Sequence, residues 1–283
     1  VTAADQLTPA AVAAVGFEVA LGLCGLFLIW RLVLSRRARE TAVAALPPWD
    51  LPPIDFACYA FCSVLGYLAL GGMTTVVLRY VHPGEDATKV LGGAVQDLGL
   101  LLGILGFHLF YRARAAGAAI PPLARGVFRS GVATFLIVMP LVVAANLSWA
   151  LVLTKLGFPM ENQDLVDVLE NTNSPWVKAS LMAIAILLAP VTEEVIFRGG
   201  LFRYFRTRIP RWMAIGLTSA LFGSLHVSWD SHLVGLPSLA PLIVLAAVFC
   251  VAYERTGTIG TVIVAHALFN LNTFVLVAAG IRS

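Results

Sequence analysis

Apolar residues along this chain gather into long runs, separated by short connectors that carry Pro, Gly, Arg or acidic residues. A helix that crosses a bilayer needs about 20 mostly apolar residues. Eight stretches meet that requirement: 11–34, 54–79, 89–112, 130–154, 176–206, 212–230, 236–254 and 258–280. The connectors break helices for physical reasons. Segment 35–53 holds Arg36, Arg37, Arg39 and Glu40 and then Pro47, Pro48, Pro52 and Pro53. Segment 80–88 holds Pro83-Gly84-Glu85-Asp86, and segment 113–129 is rich in Ala and Arg around Pro121 and Pro122. Segment 157–175 is acidic and polar, and its stretch 162–169 is expected to form a short amphipathic helix at the membrane surface. The pattern predicts an all-α, polytopic transmembrane helical bundle of about eight helices. Residues 1–174 would supply the first four with their loops, and residues 175–283 the last four.

Composition makes the membrane assignment firm. Hydrophobic residues are 59% and charged residues 12%, whereas a soluble domain carries about 25% charged residues. The mean hydropathy is +0.87. The first apolar run is long enough to span and has no basic region before it, so it reads as an anchor rather than a cleavable leader. Arg clusters sit at helix ends and do not form the dense basic surface of a nucleic-acid binder, so no nucleic-acid partner is expected. Assigning alternate loops to one side puts fourteen Arg residues on one face, against five Lys and Arg on the other. The Arg-rich face is then cytoplasmic, and both termini lie outside. Cys24, Cys58, Cys62 and Cys250 all fall in apolar runs with no CxxC spacing, and read as small packing residues.

Ionisable groups inside a bilayer are costly and mark function by default. In the first half they are isolated: Glu18, Asp55, Asp97, His108 and, among neutral polar groups, Asn146. They read as packing or interfacial residues, with Glu18 and Asp97 the least comfortable in that role. In the second half they cluster at helical spacing. Glu194 and Arg198 are four apart, acid first, which is the favourable ion-pair geometry. Glu193 is turned about 100° from Glu194 and is left without an obvious partner, which makes it a candidate general base. Phe222 shares a face with His226, and His266 with Asn270. A His and Asn pair can donate to a developing oxyanion. If the fifth helix continues to about Arg208, Glu193 and His226 each sit roughly 22 Å above the turn at Ile209-Pro210, and His266 roughly 14 Å above the turn near Gly257. All three then meet within the membrane, on a cavity expected to open to the cytoplasm.

The run EEVIFRG, followed by FGSLH and HALFN, resembles the EExxxR, FxxxH and Hxxx(N/B) signature of the CPBP family, which contains type II CAAX prenyl endopeptidases and bacteriocin-processing or immunity-type membrane proteases. The likeness covers roughly residues 175–275. It implies that Glu193 activates a water with help from His226, and that His266 and Asn270 stabilise the oxyanion. It also implies that Glu194 and Arg198 hold the architecture and that Phe222 lines the cavity. A metal-free glutamate mechanism without a cofactor is the preferred expectation. Zinc on Glu193, His226 and His266, a three-ligand catalytic set, is the alternative.

Two other readings compete. A rhomboid-type serine protease would use Ser224, but GSLH lacks the GxSG setting, and no GxGD motif supports an aspartyl enzyme. A non-catalytic scaffold, immunity protein or transporter-like subunit would keep the polar cluster for structure. The expected partners are membrane lipid and a peptide or lipidated-protein substrate. The Arg- and Ala-rich, Lys-poor composition suggests a bacterial inner membrane.

Overall fold

The computed structural model describes residues 9–40, 46–82, 84–111, 126–158, 172–229 and 233–279. Among them every regular element is helical. In chain order these are α1 (Pro9–Ile29), which runs on through a π-helical turn at Trp30–Leu34, α2 (Arg36–Glu40), α3 (Pro53–Val81), α4 (Glu85–Phe110) and α5 (Val127–Leu156). They are followed by α6 (Pro175–Arg208), α7 (Arg211–Ser224), α8 (Leu239–Thr256) and α9 (Ile259–Ala278). The expected surface helix at 162–169 lies outside the described residues, as do Asp230 and His232.

Seven of these helices are long and apolar enough to cross a membrane, one fewer than the eight stretches read from the sequence. The difference is α7. It has 14 residues, which gives about 21 Å against a hydrocarbon core of about 30 Å. It stops because side chains from the following turn take its last carbonyls. His226 Nδ1 lies 2.8 Å from the Phe222 carbonyl oxygen, and Trp229 Nε1 donates to the Ser224 carbonyl at 2.8 Å. The short helix still reverses the chain. Arg211 pairs with Glu254 at one end of the α7–α8 hairpin, and Gly223 packs on Leu239 and Ile243 at the other.

Helix–helix contacts in lipid depend on small residues, since burial of apolar surface drives little association there. On α3 and α4, Gly66 lies against the Gly99 backbone and Gly103 against the Cys62 carbonyl. α1 meets α5 in the same way, with Gly25 on the Leu136 carbonyl. One continuous core joins Trp49, Tyr59, Phe107 and Phe135 from the first half to Phe202, Phe222, Phe249 and Tyr253 from the second. Facing outward are large apolar side chains such as Phe110, Tyr80, Trp176 and Ile54, which is the surface that lipid, rather than water, would cover.

The Arg-rich end is tied to the connector before α3, around a small cavity lined by Leu46, Pro47, Pro48, Arg203, Arg206 and Glu254. Glu254 on α8 receives Arg206 at 2.6 Å and Arg211 at 2.5 Å. The Trp49 amide donates to Thr207 Oγ1 at 2.9 Å, Arg203 donates to the Pro47 carbonyl at 3.4 Å, and Arg208 donates to the Trp49 and Leu51 carbonyls. The Trp49 ring packs edge-on against Phe56, Tyr59 and Tyr204.

Gly66→Ala forces its new methyl into the Gly99 backbone. It is expected to destabilise the protein by about 1–3 kcal/mol and to lower the thermal midpoint in detergent. Gly72→Ala, on the same helix with open space around it, should be neutral or stabilising by up to about 1 kcal/mol.

Candidate functional site

The site is organised by α6, which is one continuous helix of 34 residues with two π-helical stretches, Ile184–Leu188 and Val195–Phe202. Pro190 lies just beyond the first. A proline has no N–H to give, so carbonyls about one turn back lose a donor, and such a gap is where π-type bonding appears. The Ala185 carbonyl, five residues before Pro190, takes its hydrogen bond from another helix: Asn270 Nδ2 on α9 donates to it at 2.6 Å. The proline therefore marks a docking point for α9.

Glu193 and Glu194 follow on the same helix and face different surroundings. Glu194 is fully buried and its Oε1 accepts from Arg198 Nη1 at 3.0 Å. Arg198 is fully buried too. It donates from Nη2 to the Ala246 carbonyl on α8 at 3.3 Å, and its guanidinium lies 4.7 Å from the Phe222 ring centre and 5.4 Å from that of Phe249. The same Glu194 Oε1 lies 2.8 Å from His266 Nδ1. One carboxylate thus joins α6 to α9, and its arginine joins α6 to α8 and α7. Phe222 belongs to this buried layer, against Arg198, Phe197 and His266, and has no exposed surface with which to line a cavity.

Glu193 keeps 25% of its side chain exposed and His226 keeps 26%. Glu193 Oε2 stands 3.9 Å from His226 Nε2 and 3.8 Å from His266 Nε2. These separations are too long for direct hydrogen bonds, and Oε2 has no hydrogen-bond partner among the described residues. The imidazole tautomers follow from the other ring nitrogens. A carbonyl only accepts, so His226 Nδ1 carries the proton shared with Phe222, and a carboxylate at His266 Nδ1 sets the same arrangement there. In the neutral rings both Nε2 atoms therefore turn a lone pair toward Glu193. The result is a gap bounded by three acceptors.

Of the residues singled out in the sequence, Glu193, His226 and His266 converge, and Glu194 and Arg198 pair. Asn270 spends one amide hydrogen on Ala185 and has a second remaining. Ser224 presents its backbone carbonyl to Trp229. The zinc alternative names the same three converging residues, Glu193, His226 and His266, whose acceptor atoms face one gap. Glu18, a singleton of the first half, acquires a neighbour: its Oε1 accepts from Asn272 Nδ2 at 2.7 Å. This meeting has no spacing signature, because it joins residues far apart in sequence.

Residues 175–272 match the family model for type II CAAX prenyl endopeptidases of the Rce1-like type. That is the family the three motifs resemble. The Rce1-like region starts at the first residue of α6 and ends within α9, so it contains the whole cluster around Glu193. Neither a curated protein nor a solved structure matches the chain. The Rce1-like match and the seven apolar helices together support a CAAX-type intramembrane protease carried in a helical membrane bundle.

Arg198→Met leaves the buried Glu194 without its cation. It should cost about 3–5 kcal/mol, seen as a lowered thermal midpoint in detergent, and Glu194→Gln added to it should recover part of the loss.

Proposed function

We propose that the chain is an intramembrane endopeptidase in which Glu193 activates a water molecule. The observation that carries this reading is the unsatisfied Glu193 Oε2, held among the described residues between two imidazole nitrogens. A gap lined by three acceptors suits a water that donates one proton toward Glu193 and the other toward an imidazole. Glu193 takes a proton from the water as its oxygen adds to the carbonyl carbon of the scissile bond, with His226 assisting. The carbonyl oxygen becomes an oxyanion. The remaining Asn270 amide hydrogen and the His266 ring are the donors assigned to it. His266 donates from Nε2 only as the doubly protonated ring, with Glu194 at its Nδ1 as counter-ion, and the gap then keeps two acceptors, Glu193 Oε2 and His226 Nε2, for the two protons of the water. As the C–N bond breaks, Glu193 returns its proton to the leaving nitrogen. Glu194, Arg198 and Phe222 keep the helices in register and do not touch substrate.

On this reading residues 175–283 form the catalytic core, and the first four spans brace it. The substrate is a peptide or a lipidated protein at the membrane, and the setting proposed is a bacterial inner membrane. Glu194 Oε2 and Arg198 Nε in the structural pair are likewise without a partner among the described residues, so it is the convergence of Glu193 Oε2 with two imidazole Nε2 atoms that favours catalysis over the scaffold reading.

Glu193→Gln keeps the shape and removes the base. Cleavage of prenylated and unprenylated reporter peptides by the detergent-purified protein should fall by about 10²–10⁴-fold, with the thermal midpoint retained. Unchanged cleavage by the variant would remove Glu193 from the mechanism.

A further inference from the structure

The cavity at the Arg-rich end is separate from the cluster around Glu193. Arg203 and Arg206 of α6 and Glu254 of α8 face it, opposite the connector residues Leu46, Pro47 and Pro48. Glu254 is only 3% exposed, and each of its oxygens takes one ionic bond. Oε1 receives Arg206 Nε at 2.6 Å, and Oε2 receives Arg211 Nε at 2.5 Å. Both carboxylate oxygens are thus occupied, whereas the two guanidiniums are not. Each reaches Glu254 through Nε alone, and among the described residues their Nη groups make no hydrogen bond. The side chains of Arg206 and Arg211 keep 35% and 32% of their surface exposed.

Charge here is unbalanced. Arg203, Arg206 and Arg211 gather about the single carboxylate of Glu254, and Arg208 brings its own partner, Asp50, at 3.9 Å. Guanidiniums held together by one carboxylate repel each other, and a second anion between their outer nitrogens relieves that repulsion. α7 begins at the same place. Its first turn has no side-chain cap, so the positive end of its dipole adds to the field beside Arg211. Paired guanidinium nitrogens suit the oxygens of a phosphate, which accept two parallel hydrogen bonds at a time.

The neighbouring surface says where the phosphate comes from. The Arg211 guanidinium lies 4.5 Å from the Trp212 ring centre. Trp212 is 69% exposed, as suits an aromatic at the boundary between membrane and water. An outward apolar strip then runs along α7 through Met213, Leu217 and Leu221, all exposed. A headgroup at the arginines and an acyl chain on this strip would occupy adjoining surfaces. The positive-inside rule assigns the Arg-rich end to the cytoplasm, where basic pockets between spans take anionic headgroups.

We propose that Arg206 and Arg211 form a binding site for the phosphate of an anionic membrane lipid, with an acyl chain lying along Trp212, Met213 and Leu217. The bound phosphate completes the joint between α6, α7 and α8, so the lipid composition of the bilayer sets the stability of the bundle. Glu193 takes no part, and the site stands apart from the activity proposed above.

The thermal midpoint of the full-length protein in non-ionic detergent is followed as short-chain phosphatidylglycerol, short-chain phosphatidylcholine or glycerol phosphate is added. A ligand that binds the folded state raises the midpoint. Phosphatidylglycerol should do so saturably. Phosphatidylcholine, whose choline cation meets the arginines, and glycerol phosphate, which has no acyl chain, should do so much less. Arg206→Gln leaves Arg211 on Glu254 and should raise the half-saturating phosphatidylglycerol concentration about tenfold or more. Arg206→Lys keeps the charge and a partner for Glu254 but has no fork, and should raise it roughly threefold or more; it carries the test if Arg206→Gln does not fold. Lys178→Gln, at the other end of α6, should leave it unchanged. Equal shifts with phosphatidylcholine, or a half-saturation that neither Arg206 variant moves, would overturn the site. A shift with glycerol phosphate as large as that with phosphatidylglycerol would overturn the lipid as the source of the phosphate. None of these readings depends on peptide cleavage.

Discussion

A carboxylate and a guanidinium without any solvent exposure, Glu194 and Arg198, sit where α6, α7, α8 and α9 meet. Removing two charges from water is expensive, and only good geometry with further hydrogen bonds makes the pair tolerable. The surrounding chain is arranged to supply them. Ala246 offers a carbonyl, Phe222 and Phe249 offer ring faces, and His266 offers a ring nitrogen. These contributions come from three other helices, so the contacts that hold the pair also bear on where Glu193 and the two imidazoles stand. The cluster proposed as reactive is positioned by the ion pair that begins one residue along the same helix.

The first half of the chain has no motif, yet it is part of the same solid. Tyr59 reaches the Val195 carbonyl at 3.5 Å, within the second π-helical stretch of α6, and its ring packs on Trp49 and Phe107. Gly200 accepts close approach of the Tyr59 ring, where any side chain would collide. The π-helical stretch that follows Glu194 is thus braced from outside α6 by α3. Glu18, which looked isolated in the sequence, meets Asn272 from the second half of the chain.

What the sequence made legible was local. Apolar run length located the spans, and the four-residue spacing of Glu194 and Arg198 foretold their ion pair. The continuation of α6 to Arg208, on which the meeting of Glu193, His226 and His266 depended, is what the structure has. What escaped was non-local. The stretch 212–230 has the hydropathy of a span, and nothing in its periodicity says that His226 and Trp229 will fold back to cap α7 at Ser224. Asn270 looked like a free donor because its partner, the Ala185 carbonyl, is freed by a proline on another helix. Phe222 shares a face with His226, but whether that face meets cavity or core is decided by Arg198.

Pro190 also bears on how this protein can change. An alanine at that position would mend the helix in isolation, since proline inside a helix costs about 3 kcal/mol. It would also return a donor to the backbone carbonyls that now recruit Asn270, and α9 would lose its polar anchor on α6. The defect is therefore a joint between helices, and straightening α6 would gain local regularity while releasing the helix that carries His266. Selection for thermal resistance alone would push toward that repair, and selection for a fixed arrangement of Glu193, His226 and His266 would push against it.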